Sequence, residues 1–213
     1  MSAHSLLVTA ARGLLPLVEQ ELRVLGAKTV RPTPAGLRVR APLEFAYRVC
    51  MWSRCASRVV AHVHDAAIDG SDALYEAARA VAWEDHLGPD DTLAVDVVLH
   101  GDVVTHSRYA AQRIKDGVVD RMRELHGRRP SVDLEAPAIR IHADVRGRGC
   151  SFGIDLSGEP LHRRGWRRAQ GAAPLKETLA AGLLLRADWP ARAAAGAPLF
   201  DPLCGAGTIA IEA

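Results

Sequence analysis

The stretch that decides the fold class is residues 201–208, Asp201-Pro202-Leu203-Cys204-Gly205-Ala206-Gly207-Thr208. Pro198-Leu199-Phe200 before it reads as a strand, and the residues after Thr208 read as the start of a helix. A strand ending in Asp, a Gly-rich turn and a helix form the nucleotide site of α/β folds, at the carboxyl end of a strand. Gly205 and Gly207 allow a backbone to approach a ligand where a Cβ would clash. Asp201 is placed to support the loop or to accept a hydrogen bond from a ligand. The spacing Gly205-x-Gly207-x-x-Ala210 also fits the dinucleotide fingerprint, which needs an acid about 20 residues further on. The sequence ends before that position. A third reading is an ordinary strand-to-helix turn that uses glycine for geometry alone.

Upstream, the spacing predicts a helix from Pro174 at N1 to about Ala187, with Leu175, Leu179 and Leu183 on one face and Trp189-Pro190 ending it. Residues 157–172 read as a Gly-rich connector. From Leu161 to Lys176 there are four arginines, one lysine and His162, with no acid. Arg163, Arg164, Arg167 and Arg168 bracket Trp166. Guanidinium groups neutralise phosphate and stack on bases, and an indole offers a stacking platform, so this run is a candidate RNA-binding surface. The alternative is a solvated linker with Trp166 tucked against the next domain.

Further upstream lies the clearest hairpin, Ile139, Ile141, Ala143 and Val145 alternating with polar residues, then a turn at 146–149, then Cys150, Phe152, Ile154 and Leu156. Ser107 opens a long helix with Ile114, Val118, Met122 and Leu125 as its apolar face. Arg108, Tyr109 and Lys115 form a second candidate RNA surface, against the alternative of a merely solvated basic face. Leu93, Val95, Val97 and Leu99 alternate as a strand, and Ser71 is a plausible N-cap for a helix carrying Leu74, Ala78 and Val81. A second unit therefore begins near Ile68. The first reads strand, helix, strand, strand, helix, strand. His4 to Thr9 is apolar, Leu14, Val18, Leu22 and Leu25 form one helical stripe stopped by Gly26, a hairpin turns at Pro32-Thr33-Pro34, a helix covers about 42–52, and 58–64 is a strand. That βαββαβ order is the ferredoxin-like pattern.

The chain has 213 residues, enough for one large domain or two small ones. Hydrophobic residues are 48% and charged residues 24%, a globular balance that argues against a disordered tail or a fibre. No apolar run approaches the ~20 residues that span a bilayer, and the start lacks the charge pattern of a secretory signal. Cys50, Cys55, Cys150 and Cys204 are too few and too scattered for a disulfide scaffold, which points to a reducing cytoplasm. The formal charge is +2, but three of the 27 basic residues are lysine and the rest arginine, with nine histidines besides. His62-x-His64 and Cys50-x4-Cys55 fit no standard zinc spacing, so no metal is expected. Nothing near Cys204 supplies an activating base, and contact with a cofactor is its better role. Trp52 and Trp83 read as core or domain-interface residues.

The string DPLCGAGT resembles the cofactor motif of class I S-adenosylmethionine-dependent methyltransferases, in the Asp-Pro-x-Cys-Gly-x-Gly-Thr form of RNA guanine-N2 enzymes. LLVTAARGLLPLVEQEL (6–22), MWSRCASRVV (51–60), IDLSGEPLHRRGWR (154–167) and APLKETLAAGLL (173–184) are each similar to the bacterial 23S rRNA (guanine-N2) methyltransferase family RlmL/RlmKL, in that family's order. The resemblance implies an α+β N-terminal region, followed by the truncated start of an α/β Rossmann-like methyltransferase domain. The region would hold a ferredoxin-like domain at 1–60 and a THUMP RNA-binding domain at 44–155, overlapping at their boundary. A basic connector at 156–172 would lead into the methyltransferase domain at 173–213. It implies S-adenosylmethionine as cofactor, bound by Asp201, Pro202, Cys204, Gly205, Gly207 and Thr208 with Pro174, Lys176 and Glu177. It implies 23S rRNA or its precursor as partner, without membrane or metal. The family's Asn/Asp-Pro-Pro-aromatic motif, which holds the target amine, does not occur in residues 1–213. No catalytic residue is therefore expected here, and the chain alone should be inactive, with a tail that frays after about 160. The alternatives are a THUMP methyltransferase acting on tRNA and a stand-alone RNA-binding module.

Overall fold

The computed structural model describes residues 3–167 and 174–213, which separate into two units, Met1–Val59 with Leu156–Ala213, and Val60–Asp155. The first unit opens with the predicted βαββα series: β1 (His4–Thr9), α1 (Leu15–Val24), β2 (Val30–Thr33), β3 (Gly36–Ala41) and α2 (Leu43–Trp52), leading into β4 (Arg58–Ala67). The order β2-β3-β1 is antiparallel throughout, with Leu6 opposite Val39 and Val8 opposite Leu37, all four buried. Position 36 requires glycine on two counts: φ is +152°, and a Cβ there would lie 2.5 Å from the Val8 carbonyl oxygen. Val18 and Leu22 bury the predicted stripe of α1, and Leu14 joins them from a 3-10 turn that precedes it.

Glu21 on α1 fastens the turn after α2. It accepts hydrogen bonds from Ser53 Oγ at 2.5 Å and from the backbone N–H groups of Arg54 at 3.0 Å and Cys55 at 3.4 Å. Burial, and then Glu21 itself, push the Cys55 thiol up to about 12. A thiol held protonated in this way is no nucleophile. Trp52, expected in a core or interface, is 67% exposed: it is the last residue of α2, beyond Val49, the last buried residue of that helix.

The C-terminal part of this unit departs from the sequence reading in four places. The helix after the connector, α5 (Glu177–Arg186), starts three residues beyond Pro174; the Lys176 carbonyl accepts from Leu179 and Ala180 and closes the first turn. Its buried face is Ala180, Ala181, Gly182 and Leu184, whereas Leu179 and Leu183 point outward, Leu183 being 48% exposed. Small residues win this face because α5 packs closely on Leu14, whose Cδ1 would stand 3.3 Å from a Cβ at Gly182. Trp189-Pro190 does not end a helix but starts α6 (Trp189–Ala194), since proline needs no N–H in a first turn. Residues 198–200 form no regular element and have no ladder partner among the described residues, so the expected strand does not form there; Phe200 is 86% exposed. The last element is α7 (Thr208–Glu212).

In the second unit the strands run β4-β8-β7-β5-β6, with β5 (Thr92–His100) parallel to β6 (Ser131–Val132) and to β7 (Ile139–Arg146), and β8 (Gly149–Asp155) antiparallel to β7 and β4. α3 (Ser71–Ala80) and α4 (Ser107–His126) lie on one face. Leu74, Ala78, Trp83, Ile114, Val118 and Met122 pack there against Leu93, Ile141, Ala143 and Phe152. The N-cap of α3 is Gly70, one residue before the expected Ser71. Leu125, expected on the apolar face, is 52% exposed: it lies in the last turn of α4, where residues 123–126 are all exposed and Met122 is the last buried residue. His142 and Asp144, on the strand face opposite Ile141 and Ala143, are buried too, and Asp144 binds Arg146 at 2.7 Å. Arg121 reaches from α4 to Glu84, whose carboxyl its hydrogen bonds pull down to about 2.

Candidate functional site

Gly205 (φ +52°) and Gly207 (φ +73°) both adopt the left-handed conformation, and Gly207 caps α7. Non-glycine residues pay for that region with a Cβ–carbonyl clash of roughly 1–2 kcal/mol. Asp201 Oδ1 accepts from the Leu203 N–H at 3.1 Å, and the Gly207 N–H donates to the Cys204 carbonyl at 2.7 Å. The Asp and the second Gly of the motif thus shape the loop by hydrogen bonds of their own. Among the described residues, a Cβ on Gly205 would meet nothing nearer than the Leu203 carbonyl at 3.9 Å, so the loop faces open space. That space is a cavity of about 190 Å3 lined by Asp201, Cys204, Gly205, Thr208, Pro174 and Arg167 among others. Cys204 and Pro202 are exposed, and Thr208 is buried.

Arg167 joins the connector to this loop. Its side chain is 8% exposed. Nε donates to Glu177 Oε1 at 3.1 Å, and Nη2 donates to the Leu175 carbonyl at 2.8 Å and to Thr208 Oγ1 at 3.2 Å. Its guanidinium carbon sits 5.2 Å from the Trp166 ring centre. Nη1 is buried and has no partner among the described residues. A second cavity, of about 450 Å3, is lined by Arg167, Glu177, Lys176, Arg163, Arg164 and His162 with their neighbours. Burial, and then Lys176, hold the His162 imidazole below its ordinary value.

Of the expected cofactor residues, Asp201, Cys204, Gly205, Thr208 and Pro174 surround the smaller cavity, and Pro174, Lys176 and Glu177 line the larger one. The connector arginines diverge. Arg163 is exposed and pairs with Glu159 at 2.7 Å. Arg164 turns inward, binding Glu212 at 2.9 Å and the Arg54 carbonyl at 2.7 Å. Arg168 lies outside the described residues. Glu212 closes a network that no sequence pattern announces: Arg54 and Trp166 bind it as well. Burial pushes the Glu212 carboxyl above its ordinary value, against the pull of Arg164 and Arg54. On α4, Arg108 and Tyr109 are exposed, whereas Lys115 is paired with Asp116. Among the described residues no three His, Cys, Asp or Glu are placed to hold a metal ion, and no helix is long and apolar enough to cross a membrane.

Three family profiles match in succession: an RlmL ferredoxin-like domain at residues 5–60, a THUMP domain at 70–155, and an RMKL-like methyltransferase domain at 164–213. The chain belongs to this THUMP-containing methyltransferase family. It is 50% identical over 205 residues, 96% of its length, to the ribosomal RNA large subunit methyltransferase K/L of Syntrophotalea carbinolica, and 47% identical over the same share to that of Magnetococcus marinus. It spans 29% and 28% of those two relatives. Among solved structures, a predicted N6-adenine-specific DNA methylase from Listeria monocytogenes aligns with TM-score 0.82 and 32% identity. SMU.472, a putative methyltransferase solved with SAH, aligns with TM-score 0.78 and 25% identity. Both alignments cover all of this chain and 55% of the other. The family match assigns the ferredoxin-like and THUMP fold to the N-terminal region and the methyltransferase fold to the C-terminal residues.

Proposed function

We propose that this chain carries the RNA-recognition domains and first cofactor loop of an S-adenosylmethionine-dependent enzyme that methylates the exocyclic N2 of a guanine in 23S rRNA. The observation that carries the reading is the open Gly205–Gly207 loop. Its cavity is shared with the residues that precede α5 and is lined by Arg167, whose buried Nη1 meets no acceptor among the described residues. The names of the relatives and the SAH bound to a structural neighbour support it. The chemistry that S-adenosylmethionine supplies when bound is an electrophilic methyl group on a sulfonium. Residues 201–208 shape the wall against which that cofactor packs, and Arg167 fixes the position of Thr208 and of the α5 start. Positioning is what the chain contributes, because guanine N2 is a poor nucleophile whose lone pair is delocalised into the ring. A target base must also leave its stack to reach such a pocket.

The test is methylation of naked 23S rRNA by the full-length protein, read by mass spectrometry of the nucleosides. N2-methylguanosine in 23S rRNA and not in tRNA is the expected product; label in tRNA alone would assign the protein to the other substrate class.

For RNA contact, Arg163, Arg108 and Tyr109 present exposed groups, while Arg164 and Arg167 are engaged inside the fold. Arg163→Ala and Arg108→Ala are each expected to lower RNA affinity and to reduce the slope of log affinity against log salt by roughly 0.7–0.9 per lost phosphate contact. Slopes identical to wild type in both variants would remove these two surfaces from the RNA interface.

A further inference from the structure

Arg167 has more bonding capacity than the fold uses. Three of its contacts, to Glu177, Leu175 and Thr208, lock the guanidinium in place, and Trp166 covers one of its faces. Nη1 is left with two N–H donors in a buried position and no acceptor among the described residues. A buried polar group without a partner is costly, and more so when it carries charge. The surroundings do not relieve it. Glu177 is the one carboxylate among the described residues lining the larger cavity, and its Oε1 already accepts from Nε; Lys176 adds a cation to the same space, and Arg163 and Arg164, paired with Glu159 and Glu212, bring donors and no acceptor. Arg167 also lines the smaller cavity, whose other wall is the Asp201–Thr208 loop.

We propose that Arg167 recognises the α-carboxylate of the cofactor's amino-acid arm through Nη1. This rests on the reading of residues 201–208 as the cofactor loop. S-adenosylmethionine has a single anionic group, and that carboxylate is the acceptor that a fixed, unsatisfied guanidinium N–H selects. The three internal contacts preorganise the donor, so little conformational freedom is lost on binding. Arg167 is then a ligand-binding residue of the cofactor site, set in the connector and not in the glycine motif.

Two ligands separate this role from scaffolding. S-adenosylhomocysteine has the amino-acid arm, whereas 5′-methylthioadenosine keeps the adenosine and sulfur and lacks that arm. Calorimetric titration of the full-length protein is expected to show S-adenosylhomocysteine preferred in wild type, and that preference reduced roughly ten- to hundredfold in Arg167→Gln, the range for a charge-assisted hydrogen bond. Affinity for 5′-methylthioadenosine should stay within about threefold of wild type, since only the carboxylate contact is removed. Arg167→Gln leaves Glu177 buried without its cation, so R167Q/E177Q is the companion variant in which that imbalance is removed. The same collapse of the ligand preference is expected in it. Equal weakening of both ligands would make Arg167 a scaffold residue and overturn the proposal. So would an unchanged preference, including one accompanied by weaker RNA binding, which would assign the cation to nucleic acid. Failure of wild-type protein to bind either ligand would overturn the cofactor reading, and this proposal with it.

Discussion

Trp83→Ala is expected to destabilise the unit of residues 60–155 by about 3–5 kcal/mol, the range for removing a large buried aromatic side chain. The indole is fully buried and meets Phe152 of β8 edge to face, with ring centres 6.2 Å apart. It also donates from Nε1 to the Ala78 carbonyl at 2.6 Å, in the last turn of α3. Alanine would therefore leave a cavity and remove the shorter of the two hydrogen bonds that the Ala78 carbonyl accepts, the other coming from the Val81 N–H at 3.3 Å, and both losses fall on the same helix end. Domains of this size are stable by only about 5–15 kcal/mol, so the loss is a large fraction of the total. The comparison is Trp52→Ala. Trp52 is also a tryptophan that the sequence suggests as core or interface, yet its exposure predicts a change within about 0.5 kcal/mol. Denaturant midpoints followed by far-ultraviolet circular dichroism decide the matter, and a Trp83→Ala loss below about 1 kcal/mol would show that the core closes over the gap.

The contrast between the two tryptophans shows what local sequence conveys. Periodicity located α1 and α4 because large apolar residues recur along their buried stripes: Val18 and Leu22 in one, Ile114, Val118 and Met122 in the other. The same rule failed on α5, where close approach to Leu14 favours Ala180, Ala181 and Gly182 on the packed face beside Leu184, and Leu179 and Leu183 turn out. A strand is defined by its partner. Ile139–Val145 announced itself through a neighbouring hairpin arm, but β6 is two residues long and pairs with β5 some forty residues earlier. The glycine loop was legible because left-handed turns restrict residue type locally. The roles of Arg164 and Arg167 were not, since a charged side chain reads as solvated until its partners are known. Those partners are Glu212 and Arg54 for one, Glu177 and Thr208 for the other.

Gly117 was passed over in the sequence for a related reason, and it supplies the second large effect. A glycine in the middle of a 20-residue helix costs roughly 1 kcal/mol relative to alanine, so propensity alone predicts that Gly117→Ala stabilises α4. The packing predicts the opposite. A Cβ at this position would stand 3.1 Å from the Arg79 nitrogen and 3.2 Å from the Ala78 Cβ, with the Tyr75 carbonyl nearer still. Backbone atoms of α3 cannot yield as a flexible side chain would, so α3 and α4 must separate. The contacts beside the crossing then loosen together: Tyr75 Oη to Asp120 at 3.0 Å, Arg79 to Glu124 at 2.6 Å, and the Arg113 guanidinium 4.8 Å from the Tyr75 ring centre. The expected net result for Gly117→Ala is a loss of about 1–3 kcal/mol, the usual cost of overpacking a close-fitted contact. Gly117→Leu, with three more carbons to place against the same backbone, is expected to abolish cooperative unfolding of this unit. Arg108 and Tyr109 ride on the helix that would move, so RNA affinity should fall with stability in the alanine variant. An alanine variant as stable as wild type would mean that the crossing is looser than its geometry, and that helix propensity decides at this position after all.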